Sequence, residues 1–472
     1  MIILKIILLQ LFWFSVVFFG NSVSSYLPLF ASFILVIVNY YVFAPKISLA
    51  RYSFLIILFT LFGYLHDTSF IWLNIITKKS YHIGFLSLWI IFIAYYGDIF
   101  NKLKNIPTFF LSILGALGGS LAYWSAYKLG ALSILPGRET TYVVVPFTLW
   151  AVFFPSSMWL FYKDKYWNYF LDKTILFSFD KSGFKRHENQ FTEDLSKKRI
   201  TTKISLITGG TSGIGEEVAM ALSRLNSKVV VTGRNEKKGK SFEEKNFNST
   251  FVSLDMVNWN DIHNFCKVCE KFDYIVLNAG SMPENLIVNE SGVEFQCASQ
   301  LLGHYYLISW LKKYGKLNSH ARIVWVSSGG MYLKELDLKS LFNNSEYEKV
   351  ATYANVKRAQ VTLVEELSKE EEWAKFKILA MHPGWVGTLG LKESLPKFYS
   401  LMGNRLRSPA EGADTILWLL MTDEALYSGS FYFDRKKVSP YITKKYMPSK
   451  DQRLNLMKQV KSYLFDHKRS DT

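Results

Sequence analysis

The sequence predicts an α-helical membrane bundle of about six transmembrane helices, followed by an α/β domain built on a doubly wound parallel sheet. Three observations carry this expectation. Six apolar runs of membrane-spanning length follow one another in the first 165 residues. From Lys203 onward, short β-branched runs alternate with helix-length segments. The first of those runs leads through a glycine-rich turn, "TGGTSGIG", straight into a helical pattern. A chain of 472 residues has room for two or more such domains.

The apolar runs lie near 2–20, 25–44, 52–76, 83–100, 106–127 and 141–162. A helix needs about twenty apolar residues to cross a bilayer core. Six in succession exceed what one cleaved signal peptide explains. His66 and Asp67 interrupt the third run, so five or seven spans stay open. The formal net charge is +16, and residues 1–160 hold nine Lys or Arg against three Asp or Glu, 9 − 3 = +6. These charges flank apolar blocks, which points to a bilayer with anionic headgroups rather than to nucleic acid. Neither a zinc-finger spacing nor an RNA-binding signature is present, and no metal is expected.

With both ends inside, the inner segments carry Lys5, Lys46, Arg51, Lys102, Lys104, Lys163 and Lys165. The outer loops carry Lys78, Lys79, Lys128 and Arg138. The excess inside favours this orientation. It implies an inner-membrane, multi-pass protein with its second half in the cytoplasm. In the fifth run Gly115 and Gly119 stand one turn apart, the spacing that lets helices approach closely in lipid. His66, Asp67 and Asp98 are the ionisable residues nearest membrane depth. The reading places them at the interface in preference to a functional site inside the bilayer. The spacing of the runs and "LGALGGSLAYW" resemble a bacterial family of small inner-membrane proteins of unknown function, across roughly residues 1–165.

Residues 166–200 are charged and lack hydrophobic periodicity, which reads as an exposed linker near the headgroups. Beyond it, residues 201–435 contain seven candidate strands: "KISLI", "KVVVT", "TFVSL", "YIVLN", "RIVWVS", "KILAMH" and "SFYFD". Continuous apolar runs of this kind suit a sheet covered on both faces. In the turn after the first strand, Gly209, Gly213 and Gly215 let the backbone bend tightly and approach a pyrophosphate. The following helix then offers its free N–H groups and positive dipole end. Cys266 and Cys269 form a C-x-x-C inside the helical pattern "DIHNFCKVCEKF", which favours ordinary helix cysteines over a redox pair.

The spacing T-G-x-x-x-G-x-G, over Thr208, Gly209, Thr211, Ser212, Gly213, Ile214 and Gly215, resembles the short-chain dehydrogenase/reductase family. The likeness continues in order down the chain: Asp255 at the end of the third strand, Asn278-Ala279-Gly280 after the fourth, Ser327-Ser328 after the fifth, then Tyr353-x-x-x-Lys357 and Pro383-Gly384-Trp385-Val386-Gly387-Thr388. "VSSGGM", "HPGW", "EGADT", "DRKKVS" and the upstream "KSGF" resemble the branch named dehydrogenase/reductase member 12. The upstream match implies that the linker belongs with the enzyme. The resemblance implies a Rossmann-type fold, a nicotinamide dinucleotide and a dimer or tetramer. It also implies that Tyr353 is the proton-transfer group, assisted by Lys357 and oriented by Ser328, with Ser327 the less favoured choice.

The second strand ends at Arg234 with no acidic residue, so a 2′-phosphate and NADP(H) are expected over NAD(H). By resemblance, Asp255 contacts adenine and Thr388 the carboxamide. Gln300 stands where the family carries an Asn of a proton relay, a departure that puts rate or substrate preference in doubt. A Tyr phenol titrates near 10 unaided. Lys357, one turn away, is expected to lower that value. The apolar segment after Thr388 suits a lipophilic substrate. Residues 436–472 read as a connector and a basic amphipathic helix, either solvated or touching the membrane surface. The expected function is a membrane-tethered NADP(H)-dependent oxidoreductase acting on a carbonyl or alcohol. The alternative is a non-catalytic NADP(H)-sensing domain regulating a membrane protein.

Overall fold

The computed structural model describes residues 2–19, 26–43, 49–77, 83–100, 103, 105–342 and 347–469. The chain divides into two compact units, Met1–Leu171 and Asp172–Thr472.

In the first unit the apolar runs form α1 (Ile2–Phe19), α2 (Tyr26–Phe43), α3 (Leu49–Trp72), α4 (Leu86–Ile99), α5 (Thr108–Lys128) and α6 (Glu139–Tyr162). Among the described residues, three helices are long and apolar enough to cross a membrane: Arg51–Trp72, Thr108–Lys128 and Glu139–Tyr162. The described parts of α1, α2 and α4 form shorter apolar spans. Lys46, Lys78, Lys79, Lys102 and Lys104, on which the orientation leans, lie outside the described residues, as does the side chain of Asp98. The glycines of α5 explain its packing on α6. A Cβ on Gly115 would stand 2.3 Å from the Trp150 carbonyl oxygen, and one on Gly119 would stand 2.2 Å from the Trp150 ring. Hydrogen at both positions lets the two backbones approach.

The ionisable pair of α3 is enclosed by protein. His66 and Asp67 are buried. His66 Nδ1 lies 3.0 Å from the Asp67 carboxylate, the Trp89 indole donates to that carboxylate at 3.0 Å, and the Tyr123 hydroxyl donates to it as well. Sequence alone could not show which helices bring these partners.

The second unit opens on the stretch read as an exposed linker. Its chain folds instead into short helices, α7 (Asp164–Asp172), α8 (Ile175–Phe179) and α9 (Lys181–Glu188), of which α7 straddles the boundary. Thr174 and Asp180 cap α8 and α9 with their side chains. Phe179, Asp180, Phe184 and His187 are buried. The polar composition that suggested a connector supplies caps and ion pairs instead.

Then come β1 (Ile204–Thr208), α10 (Gly213–Arg224), β2 (Lys228–Gly233), α11 (Glu236–Lys245), β3 (Ser249–Ser253), α12 (Trp259–Val268), β4 (Phe272–Leu277), α13 (His304–Lys313), β5 (Leu317–Val326), α14 (Leu338–Phe342) and α15 (Lys349–Leu367). β6 (Lys377–Met381), α16 (Leu389–Ser394), α17 (Pro396–Met402), α18 (Pro409–Met421), β7 (Phe431–Phe433), β8 (Lys436–Val438) and α19 (Lys450–Arg469) complete it. The sheet order is β3-β2-β1-β4-β5-β6-β7-β8. All pairs are parallel except β7–β8. The direction of winding reverses between β1 and β4, where such sheets open a crevice at the strands' carboxyl ends.

Alternate strand residues supply opposite faces, as the period of two requires. Leu206, Ile275, Ile323 and Ile378 pack with α12, α13 and α15; Ile207, Val276, Val324 and Leu379 pack with α10 and α18. The tail helix keeps an exposed face and anchors the other in the core. Leu456 and Val460 of α19 are fully buried in the first of these clusters, and β8 closes the sheet edge. Cys266 and Cys269 are free thiols, and burial pushes the Cys269 thiol up to about 11, which disfavours redox reactivity.

Candidate active site

The crevice is built first by the turn from β1 to α10. Gly209 has φ +64° and Gly213 φ +60°, conformations that L side chains rarely adopt. A Cβ on Gly215 would stand 2.3 Å from the Gly209 carbonyl oxygen and 2.5 Å from Asn278 Nδ2. Ser212 precedes the helix without a side-chain cap, so the first turn of α10 keeps its N–H groups for another acceptor. That uncapped cradle of glycines fits a dinucleotide pyrophosphate.

Thr208 does not face the cradle. It is fully buried, and its hydroxyl accepts from the backbone N–H of Asn278 (2.9 Å) and Ala279 (3.0 Å). Asn278 returns the contact, donating from its amide to the Thr208 and Gly209 carbonyls. These bonds lock the N-A-G loop to the glycine turn. Asp255 accepts from the Val257 N–H at 3.1 Å. Arg234 is exposed just past β2, with its guanidinium 5.5 Å over the Phe295 ring.

Ser328, Tyr353 and Lys357 come together at the carboxyl end of β5. Ser328 lies beside the Tyr353 phenol, with its hydroxyl accepting from the Gly330 N–H at 3.2 Å, and the Lys357 ammonium donates to the Val326 carbonyl at 3.0 Å while lying 5.4 Å from the Tyr353 ring centre. Ser327 points inward and donates to the Lys357 carbonyl at 3.0 Å. The adjacent serines thus separate into one that meets the phenol and one that braces α15. Burial raises the Tyr353 phenol above its ordinary value, against the Ser328 hydrogen bond, which acts to lower it. Burial also pulls Lys357 down to about 7. The expectation that Lys357 acidifies the phenol is corrected here. Desolvation governs the phenol, and the Lys357 ammonium is bonded to the Val326 carbonyl instead.

Gln300 sits in a one-turn π-helix, Cys297–Gly303. It is fully buried; its amide donates to the Ser281 carbonyl at 2.9 Å, and its Oε1 has no partner among the described residues. Its backbone carbonyl accepts from Gln360 (2.7 Å) and meets His304 Nδ1 (3.0 Å). The side chain therefore props Gly280 and its neighbour rather than reaching Tyr353.

Across the crevice, Thr388 caps α16 by accepting from the Leu391 N–H at 3.1 Å, and its methyl would meet a Cβ at Gly213 at 3.1 Å. Val386 is buried and bridges Arg407. Gly384 has φ +77°, and the Pro383 carbonyl accepts from Arg407.

Residues 203–397 match the family model described as "short chain dehydrogenase", and residues 2–156 match one described as "Protein of unknown function (DUF2878)". The chain is 31% identical over 292 residues to "Dehydrogenase/reductase SDR family member 12" of Homo sapiens, covering 58% of this chain and 91% of that one. The chain belongs to the short-chain dehydrogenase/reductase family, and its second unit is an oxidoreductase domain. It is also 28% identical to "Polyprenol dehydrogenase" of Homo sapiens over 53% of this chain and 82% of that one. To "Retinol dehydrogenase 14" of Mus musculus it is 26% identical, over 50% and 78% respectively.

Sequence reasoning missed the group that holds this dehydrogenase/reductase site together. Arg407 is fully buried. It binds Asp434 bidentately at 2.6 and 2.9 Å, and donates to the carbonyls of Ser178, Phe179 and Pro383. His187 joins Asp434 at 2.6 Å and Asp172 at 3.0 Å. The Phe179 ring lies 4.6 Å from that of His382, and a Cβ on Gly329 would stand 2.5 Å from it. The upstream arm is thereby tied to both the serine loop and the P-G turn. The one signal for it was the "KSGF" match.

Proposed function

We propose that this protein is a membrane-tethered NADP(H)-dependent oxidoreductase that reduces a carbonyl, or oxidises the corresponding alcohol, on a lipophilic substrate. The observation that carries the reading is the meeting of Ser328, Tyr353 and Lys357 at the carboxyl end of β5, opposite the glycine cradle. A bound nicotinamide dinucleotide supplies or accepts the hydride. Gly209, Thr211, Ser212, Gly213, Ile214 and Gly215 cradle its phosphates, and Arg234 takes the 2′-phosphate that distinguishes NADP from NAD. Asp255 and the Asn278–Gly280 loop border the adenine side; Pro383, Gly384, Val386 and Thr388 border the nicotinamide side. Ser328 orients the substrate oxygen, and Tyr353 gives it a proton in reduction or takes one in oxidation. The raised phenol stays protonated through neutral pH, the state that reduction needs.

Support for a lipophilic substrate comes from the apolar helices of the first unit and from relatives whose names are those of polyprenol and retinol dehydrogenases. Six spans, an inner-membrane location, a cytoplasmic second unit and a homo-oligomer belong to the same reading.

The test offers purified protein long-chain aldehydes, retinal and ketones with NADPH, and follows its consumption. Turnover abolished by Tyr353→Phe supports the assignment. Turnover that survives it removes Tyr353 from the role, and tight NADPH binding without turnover on any carbonyl favours the sensing alternative.

A further inference from the structure

The first unit contains a cavity of about 960 Å³ with a mostly apolar wall. That is near the upper end of the range for small-molecule sites, roughly 300–1,000 Å³. Its wall includes Asp67, Trp89 and Tyr123, three members of the buried polar cluster on α3, α4 and α5. Asp67 stands five residues before the end of α3, roughly 7.5 Å inside that end at about 1.5 Å per residue. A carboxyl group at such depth calls for a specific partner.

The cluster shows what partner is missing. A carboxylate accepts about four hydrogen bonds. Three donors reach Asp67: the Trp89 indole, the Tyr123 hydroxyl and the His66 ring. One place remains, which suits a head-group with a single donor. An ammonium would bring three donors and leave two unmet against apolar walls. An anion would bring only acceptors to an acceptor. Lys128, also on the wall, already lays its ammonium 4.8 Å from the Trp124 ring centre. The buried His66 Nε2 has no partner among the described residues.

The glycines of α5 divide by role. Gly115 and Gly119 are pressed against Trp150, whereas a Cβ at Gly118 would meet nothing within 4 Å. Gly118 also lines the cavity. Its missing side chain leaves volume open instead of permitting helix contact.

We propose that this cavity binds one neutral long-chain lipid alcohol, with its hydroxyl held by Asp67 and its chain lying along α5. The inference rests on the first unit being embedded in a bilayer, and not on the chemistry proposed for the second unit.

The test uses the full chain in phosphatidylcholine vesicles and a long-chain fatty alcohol carrying a diazirine and an alkyne. Labelling is expected on cavity-lining peptides of α1 and α5. It should be displaced by the unmodified alcohol about tenfold better than by the alkane or the fatty acid of equal length. Gly118→Leu, which has room for its side chain, should suppress labelling while leaving NADPH oxidation with a short soluble carbonyl unchanged. Asp67→Asn should keep the labelling and lose the preference for the alcohol. Labelling spread over lipid-facing helices and indifferent to Gly118→Leu would overturn the inference alone. Equal displacement by the fatty acid would overturn the hydroxyl assignment. Failure to float with the vesicles would overturn the membrane reading and this inference together.

Discussion

Replacing Arg407 by Met tests whether the upstream arm is part of the enzyme. Met keeps much of the side-chain volume and removes the guanidinium. The change deletes the two bonds to Asp434 and those to the carbonyls of Ser178, Phe179 and Pro383. Asp434 is 2% exposed and would keep His187 as its ion-pair partner. Removing one member of a buried pair costs about 3–5 kcal/mol, because the other charge stays buried. At about 2 °C per kcal/mol for a unit of this size, the apparent melting midpoint should fall by roughly 6–10 °C.

The deficit should also depend on pH. Burial alone would depress His187, but the hydrogen bonds its ring donates to Asp172 and Asp434 outweigh it and hold the ring above its ordinary value. A raised base contributes stability that is fully present below its unfolded value of about 6.5 and is lost as pH rises through the folded value. In Arg407→Met the loss of that proton leaves Asp434 without a cation, so the midpoint should drop further near pH 9 than near pH 6. The assay is thermal melting of the full chain in detergent, followed by tryptophan fluorescence at both pH values. A midpoint within about 2 °C of wild type at both would refute the argument that this network clamps the arm.

Three further outcomes follow from the site. Gly215→Ala drives a methyl to within 2.3 Å of the Gly209 carbonyl oxygen; it should cost about 1–3 kcal/mol of stability and weaken NADPH binding in a fluorescence titration, and unchanged affinity would refute the cradle. Arg234→Asp should reverse cofactor preference, read as the ratio of kcat/KM with NADPH and NADH; an unmoved ratio would place the 2′-phosphate elsewhere. Because burial raises Tyr353, carbonyl reduction should hold its rate from neutral pH up to about 10, whereas alcohol oxidation should climb over that range. Because Lys357 itself stands at about 7, the check is made in Lys357→Arg as well; a Tyr353-dependent reduction that is lost there as pH rises past about 8 would contradict this.

Much of the site was legible because its residues are local in sequence. Tyr353 and Lys357 share a helix face at a four-residue spacing, and the glycines at 209, 213 and 215 are demanded by one turn. The roles of Thr208 and Gln300 were not legible. The Thr208 hydroxyl is spent on the backbone of a loop seventy residues away, and the Gln300 amide turns toward Ser281. Resemblance already favoured Ser328 over Ser327, but the physical reason lies in the fold, where Ser327 turns inward to the Lys357 carbonyl.

Sequence by itself determined the periodic elements: six apolar helices, and seven strands alternating with helices around a glycine turn. Period and composition act over a few residues, so the chain displays them openly. Tertiary structure alone decided that the arm bearing Phe179, Asp180, Phe184 and His187 is tied down by Arg407 and Asp434, that α19 packs on the core, that His66 and Asp67 meet Tyr123 and Trp89, and that burial raises rather than lowers the Tyr353 phenol. Each of these depends on which distant surfaces meet and exclude water, and the free energy of a buried charge or hydroxyl is set by those partners.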